Sequence, residues 1–332
     1  MLAYVARRLV SGVLVLLVVS MAVFALFFYG PADPALANCP ETRCATERLD
    51  NIRDSLGLEE PVVTQYAAYV KGIVAGSEFR QGTIAIDCPA PCLGVSFKLR
   101  VPVTGSLAER FLATLSVALG AAVVFLVVGV AAGVLAARKH GTGTDRVVVG
   151  ASLLLGSVPY YLLALLAYLY LVNDWGVFPE TGYAGPLDEG PVAWVKGLLL
   201  PWLVLGLAYA TQYARFSRAS MVEVMQADFV RTARAKGLSE TAVTLRHGLR
   251  AGLVPVVTLL GLDLAMLLAG TIFTERIFDI PGIGLAALEA IDDRDLPVIA
   301  GTVLIGAAFV VVANIVVDVV HALLDPRVRL GS

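Results

Sequence analysis

Leu9 to Tyr29 reads LVSGVLVLLVVSMAVFALFFY, 21 residues without a charge. A helix rises about 1.5 Å per residue, so a run of this length matches the ~30 Å hydrocarbon layer of a bilayer. Five more stretches pass the same test: Leu112 to Ala137, Val147 to Val172, Gly197 to Tyr213, Leu253 to Phe273 and Val298 to Leu324. Gly197 to Tyr213 is the shortest, Asp263 interrupts the fifth span, and Asp318 and His321 stand near the end of the sixth. The composition agrees, because 58% of the 332 residues are hydrophobic and 16% charged, where soluble chains carry about a quarter charged residues. The mean hydropathy is +0.80. A water-soluble core of this size cannot hide so much apolar surface, and a bilayer can. The expected fold class is therefore all-α and integral to the membrane, a bundle of six transmembrane helices. A net charge of −2 gives no reason to expect a nucleic-acid partner.

Lys and Arg set the expected orientation. With an even number of spans, both termini share a side. On that side fall Arg7, Arg8, Arg138, Lys139, Arg146, Arg215, Arg218, Arg231, Arg234, Lys236, Arg246, Arg250, Arg327 and Arg329, 14 of the 25 basic residues, all in short segments. The other 11 lie mostly in the loop 30–111, which the positive-inside rule discounts because long loops translocate largely regardless of charge. Both termini are expected in the cytoplasm and the chain in the cell membrane. Residues 1–29 then form the cytoplasmic N-terminus and first span, 30–111 an extracytoplasmic cap, and 112–332 a five-helix core holding the cytoplasmic loop 226–250. A cleaved signal peptide is the rival reading of the first span, with Ala35-Leu36-Ala37 as its cleavage site. The apolar run exceeds the ~7–15 residues of a signal peptide, so the span is expected to stay.

All four cysteines, Cys39, Cys44, Cys88 and Cys92, fall in the cap, where an oxidising exterior permits disulfides. Three connectivities are open. Metal binding competes for Cys88 and Cys92, but no histidine lies in the loop, so a structural disulfide role is favoured and no metal site is expected. Glu47 to Leu56 and Val62 to Val74 carry helical patterns, the second behind Pro61. The sequence DCPAPC at Asp87 to Cys92 reads as a rigid turn. The cap is thus expected to be small and partly helical.

The segment between the fourth and fifth spans carries the most information. It runs QADFVRTARAKGLSE from Gln226 to Glu240. Good helix formers lead up to Lys236, with Arg234 and Lys236 in the last turn, where they favour the negative end of the helix dipole. Gly237 suits a left-handed cap, and Ser239 suits the N-cap of a second helix with Glu240 in its first turn. Phe229 and Ala233 are four apart and share a face. A helix, a tight glycine turn and a second helix, ringed by Arg and Lys, suit docking into a groove on a partner protein. A basic amphipathic loop resting on anionic lipid is the alternative.

This segment resembles the EAA loop of permease subunits of ATP-binding cassette (ABC) importers. It is most similar to the form in oligopeptide, dipeptide and nickel permeases, close to Tyr/Phe-Val-Arg-Thr-Ala-Arg-Ala-Lys-Gly-Leu, which Phe229 to Leu238 match nearly throughout. Ala233 and Gly237 take the motif's Ala and Gly places, and Arg231 and Thr232 stand where the general motif has Glu and Ala. Pro255, the counterpart of the closing proline, lies 18 positions after Gly237, further than in the general motif. The likeness extends to Tyr4 to Leu9, Leu56 to Pro61 with Gln65-Tyr66, Ser157-Val158-Pro159, Thr274 to Phe278 with Ile280 to Gly284, and Leu324 to Arg329. The first permease of the family's heterodimeric pairs is the nearest form. The departures are the insertions around Cys39 to Cys44 and Cys88 to Cys92, and Asp263.

The resemblance implies a six-helix permease of the type I importer kind whose loop seats a coupling helix in a cleft of an ATPase subunit. Phe229, Thr232, Ala233, Arg234, Lys236, Gly237, Leu238 and Glu240 become the coupling residues. It implies as partners a second homologous permease, two ABC ATPase subunits or one fused double ATPase, and an extracytoplasmic solute-binding protein. ATP and Mg would be bound by the ATPases, with no cofactor in this chain. Peptide, nickel, haem and oligosaccharide cargo all remain open.

Absences point the same way. A phosphate-binding loop needs Lys followed by Ser or Thr, whereas Lys71, Lys98, Lys139, Lys196 and Lys236 precede Gly, Leu, His, Gly and Gly. His140, His247 and His321 form no His-Glu-x-x-His, so the chain is expected not to be an enzyme. Charges inside spans are costly and mark functional candidates. Asp263 is the foremost, expected to face the pathway, a neighbouring helix or a counter-charge rather than lipid. Pro159 and Tyr160, with Tyr161, are expected to kink the third span, with a gate as the sharper reading. Two rival functions are an ion-coupled secondary transporter, for which Asp263 alone is thin support, and a receptor or scaffold acting through the cap.

Overall fold

The computed structural model describes residues 2–29, 34–37, 46, 49–50, 53, 58–81, 84–186 and 190–324. Helix α1 (Leu2–Tyr29) is followed in the cap by α2 (Val62–Ala75). An antiparallel hairpin comes next, β1 (Ser77–Gln81) against β2 (Ile84–Cys88), with Ser77 opposite Cys88. The bundle then runs through α3 (Val103–Arg138), α4 (Gly143–Ser157), α5 (Tyr160–Asp174) and α6 (Pro191–Val224). A short helix α7 (Asp228–Ala235) leads into α8 (Glu240–Gly252) and α9 (Val254–Ala269). After α10 (Ile272–Ile277) and α11 (Ile283–Asp292), the long α12 (Leu296–Leu324) closes the described chain.

Helices α1, α3, α6 and α12 are each long and apolar enough to cross a membrane alone. The pairs α4–α5 and α8–α9 meet the same measure only when each bent pair is counted together. The α4–α5 bend is 86°, and its cause is local. Pro159 offers no N–H and forces the residue before it out of the helical region, and Val158 is extended at φ −87°, ψ 129°. The kink expected at Pro159 is thus a near right angle. The α8–α9 bend of 49° falls where Pro255 opens α9.

Gly197 to Tyr213 was expected as the shortest span; it belongs instead to the longest helix not interrupted by π-helical turns, the 34 residues of α6. The apolar run measured only its uncharged part, and the helix continues through Arg215 and Arg218 on the basic side. The helices approach closely where glycines remove side chains. A Cβ on Gly129 of α3 would lie 2.6 Å from Tyr213 Cβ and 2.9 Å from the Ala210 carbonyl on α6. One turn on, a Cβ on Gly133 would run into the Ser217 hydroxyl. Small residues at i and i+4 let two backbones pack directly where lipid offers no hydrophobic drive for association. Around this crossing sits the main core, with Val117, Ala121 and Phe125 of α3 against Leu198, Leu205 and Tyr213 of α6. Helix α12 packs on both α1 and α9.

The cap holds the expected helix behind Pro61, and Cys88 and Cys92 are joined in a disulfide, which excludes both long-range connectivities. Cys39 and Cys44, and most of the Glu47 to Leu56 pattern, lie outside the described residues. The hairpin was not expected, although Phe79 opposite Ile86 follows the alternation of a strand pair. Buried Asp295, just before α12, fastens the cap to the bundle. It accepts hydrogen bonds from the Ser96 hydroxyl and from the backbone N–H groups of Phe97 and Lys98, at 3.1 and 3.3 Å.

Candidate coupling site

The 226–250 segment forms the helix, glycine turn and helix that its composition suggests. Helix α7 ends at Ala235, one residue before the expected stop, and Gly237 takes φ +79°. The Leu238 N–H donates to the Ala233 carbonyl at 3.4 Å and the Gly237 N–H to the Arg234 carbonyl at 2.9 Å. These two bonds form the Schellman closure, which satisfies carbonyls that the helix end leaves unpaired. Ser239 then caps α8 by accepting the Ala242 N–H at 3.4 Å. Across the turn Arg234 grips Glu240 with two guanidinium N–H groups, at 2.8 and 3.2 Å. That hydrogen-bonded pair holds the Glu240 carboxyl below the usual carboxylate range.

One face of α7 is the foot of the unit. Val230, Ala233 and Val243 are buried together against Val224 and Met225. Phe229 and Ala233, four apart on α7 as expected, differ in burial. Ala233 is 5% exposed and points inward, whereas Phe229 is 49% exposed. On α7 a short apolar foot from α8 takes the Val230/Ala233 side, and Phe229 lies off that contact. The surface left to a partner comprises Phe229 and Leu238, with Arg231, Thr232 and Lys236 around them, all exposed.

The unit is tied to the ends of the long helices. Arg234 also donates to the Met225 carbonyl at 3.3 Å, and Arg138, the last residue of α3, donates to Thr241 of α8 at 3.3 Å. Nearby, buried Asp145 at the start of α4 accepts two bonds from Arg218 of α6, at 2.5 and 2.8 Å, and one from the Gly141 N–H at 2.9 Å. Hydrogen bonds thus join α7 and α8 to the ends of α3 and α6.

Inside the bundle, Asp263 of α9 accepts a hydrogen bond from the Tyr213 hydroxyl of α6 at 2.9 Å. It faces a neighbouring helix, one of its three expected settings. Tyr160, behind Pro159, packs edge-on to Phe273 of α10 at 6.2 Å, and Tyr161 lies 5.4 Å from the same ring. The break in one bent pair thus sits against the helix that follows the other. The structure puts Tyr160 and Tyr213 on one core cluster. The side chains of Asp318 and His321 lie outside the described residues.

Residues 129–330 match the family described as binding-protein-dependent transport system inner membrane component, and residues 1–118 match the N-terminal family of such membrane components. The chain belongs to this family. It is the permease subunit of an ABC importer. It is similar to a Brucella abortus (strain 2308) protein named as a peptide transport system permease, 36% identical over 329 residues and covering 99% of each chain. It is also similar to the dipeptide transport system permease protein of Escherichia coli (strain K12), 32% identical over 351 residues and covering 99% of each.

This permease contains a further device that sequence reasoning did not single out. Glu275 of α10 is fully buried. One carboxyl oxygen accepts from the Thr114 hydroxyl at 2.9 Å and the Thr271 hydroxyl at 3.1 Å, and the other from the Leu285 N–H at 2.7 Å. The carboxyl lies where a side chain on Gly282 would have to be, so the Ile280 to Gly284 run (IPGIG) is shaped around it. The signal was an acidic residue six before a Pro-Gly pair.

Proposed function

We propose that this permease forms one half of a peptide-translocation pathway, crossing the membrane six times with both termini in the cytoplasm. The bent pair α4–α5 counts as one span in that reading, and α9, entered from the cytoplasmic α8, as another. The second half is a homologous permease. Two ABC ATPase subunits, or one fused double ATPase, hydrolyse ATP with Mg, and an extracytoplasmic solute-binding protein delivers cargo. The peptide class is taken from the names of the relatives and from the resemblance of Phe229 to Leu238.

The observation that carries the reading is the unit closed at Gly237. It presents Phe229 and Leu238 within a rim of Arg231 and Lys236, while Thr241 and Arg234 bind it to the ends of α3 and α6. A rigid knob fastened to membrane helices converts closure of a partner into helix movement. Phe229, Thr232, Lys236 and Leu238 form the contact in this proposal; Ala233, Arg234, Gly237 and Glu240 hold its shape. Arg and Lys there also accord with the cytoplasmic side.

The test is reconstitution in liposomes with the second permease, the ATPases and the binding protein, followed by uptake of a labelled short peptide. ATP-dependent uptake that requires every component is the expected result. Uptake by this chain alone, driven by an ion gradient, would identify a secondary carrier instead.

A further inference from the structure

Helix α2 lies in the part of the chain read from the sequence as an extracytoplasmic cap, yet its contacts set it at the depth of the bilayer surface. The apolar span within α1 covers Ala6–Leu26. The Tyr66 hydroxyl of α2 shares a hydrogen bond with Ser20 at 2.9 Å and donates to the Leu17 carbonyl at 3.3 Å. Ser20 is six residues inside the end of that span and Leu17 nine, or ~9 and ~13 Å along the helix axis. The Tyr66 and Tyr69 rings pack on Phe24, 5.3 and 5.9 Å away, and Phe24 is only ~3 Å inside the same boundary. Tyr66 and Tyr69 thus tie α2 to the last part of the α1 span, within ~13 Å of its end at Leu26.

The sequence of α2, VVTQYAAYVKGIVA, divides its surface three ways. Gln65, Tyr66, Tyr69, Gly72 and Ile73 face the protein, and Gln65 pins the start of the helix by donating to the Leu58 and Glu60 carbonyls at 3.2 and 2.6 Å. Val63, Ala67, Val70 and Val74 recur at steps of four, three and four, which places them on one flank. Val63 is 80% exposed and Val74 74%. Thr64, Ala68 and Lys71 follow the same spacing one residue on and form the adjoining polar flank. The helix contains no acidic residue, and its one charge is Lys71. A helix with an apolar flank, a polar flank bearing Lys, and tyrosines at the boundary fits the headgroup–acyl interface, where such helices sit ~5–10 Å deep.

We propose that α2 is an interfacial helix of this permease. Its Val63/Ala67/Val70/Val74 flank is seated in lipid acyl chains of the extracytoplasmic leaflet, and Lys71 extends toward the phosphates. The occupant is lipid rather than the soluble binding protein because the Tyr66 contacts with Ser20 and Leu17 hold α2 against the membrane-spanning part of α1. The proposal rests on α1 crossing the membrane and not on the identity of the cargo.

The test places a fluorescent amino acid at Val63, Val74 or Lys71 in the full chain, assembled with its partners in liposomes that contain phospholipids brominated near the headgroup end of the acyl chains. Emission at positions 63 and 74 is expected to be quenched several-fold more strongly than at 71, with iodide in the water giving the reverse order. The two positions lie at opposite ends of the helix, so a folding defect at one leaves the other readable. Bromine quenching no stronger at 63 and 74 than at 71 would overturn the proposal. So would loss of that quenching when the solute-binding protein is added, because the flank would then be its docking face. Peptide uptake is read separately on the same liposomes, so failure of the lipid contact and failure of the importer reading are told apart.

Discussion

Arg234 and Glu240 face each other across Gly237, with guanidinium nitrogens 2.8 and 3.2 Å from the two carboxyl oxygens. The pair spans the turn that joins α7 to α8, so it fixes the angle between two helices that share only a small apolar foot. A paired, planar contact of this kind specifies orientation more than a single charge contact does. Arg234→Glu and Glu240→Arg, each alone, place like charges across the turn and are expected to lower ATP-driven uptake several-fold. The double exchange restores the attraction and is expected to recover most of it. Uptake by all three variants in reconstituted liposomes is the measurement, and failure of the exchange to recover activity would show that the pair does not set the turn.

Gly237 separates backbone effects from packing effects. Its φ of +79° lies in the left-handed region, and a Cβ there would meet nothing within 4 Å. Substitution therefore costs only backbone strain, about 1–2 kcal/mol for an ordinary residue and less for Asn, which visits this region more readily. Gly237→Val is expected to insert normally and yet lose uptake. Gly237→Asn is expected to keep a large part of it. Equal uptake in the two variants would mean that the turn is not under conformational constraint.

The fully buried Glu275 makes an experiment on stability. Its oxygens accept from Thr114, Thr271 and Leu285, so both are committed to donors. In Glu275→Gln the amide must turn its NH2 toward one of them. Hydrogen bonds to charged groups contribute about 1.5–3 kcal/mol, and a buried donor left unpaired costs a similar amount. A loss on the order of 2 kcal/mol is expected, read as a lower thermal unfolding midpoint of the purified chain in detergent. An unchanged midpoint would show that α10 and α11 are held by packing alone.

The same residues mark where the sequence was readable. Hydropathy located the four helices that are long and apolar enough to cross alone, because a run such as Leu9 to Tyr29 reports the solvent directly. The turn at Gly237 was legible because local rules for helix ends fix it. The inward face of Ala233 was not, since it depends on Val243, which arrives from the other side of the turn. Glu275 was hidden for a stronger form of the same reason. Its partner Thr114 is 161 positions away, and no periodicity within either segment announces the contact. The extent of α6 was underestimated because hydropathy stops at the first arginine while the helix does not.

Asp263 offers the sharpest separation between a pathway role and a structural one. Its contact is the Tyr213 hydroxyl at 2.9 Å, and Tyr213 is completely buried between α3 and α6. If the bond serves to hold α9 on α6, an acceptor is all that the position requires. Asp263→Asn presents a carbonyl oxygen to the same hydroxyl and is expected to retain uptake and thermal stability. Asp263→Leu removes the acceptor and leaves a buried donor unpaired, at a cost of about 1–3 kcal/mol, so its unfolding midpoint should fall and uptake with it. Tyr213→Phe should resemble the leucine variant in direction, because it leaves the carboxyl without its donor. A carrier that moves protons or cations through Asp263 behaves differently, losing transport in the asparagine variant while keeping its stability. Uptake and unfolding measured side by side on the three variants decide between the two.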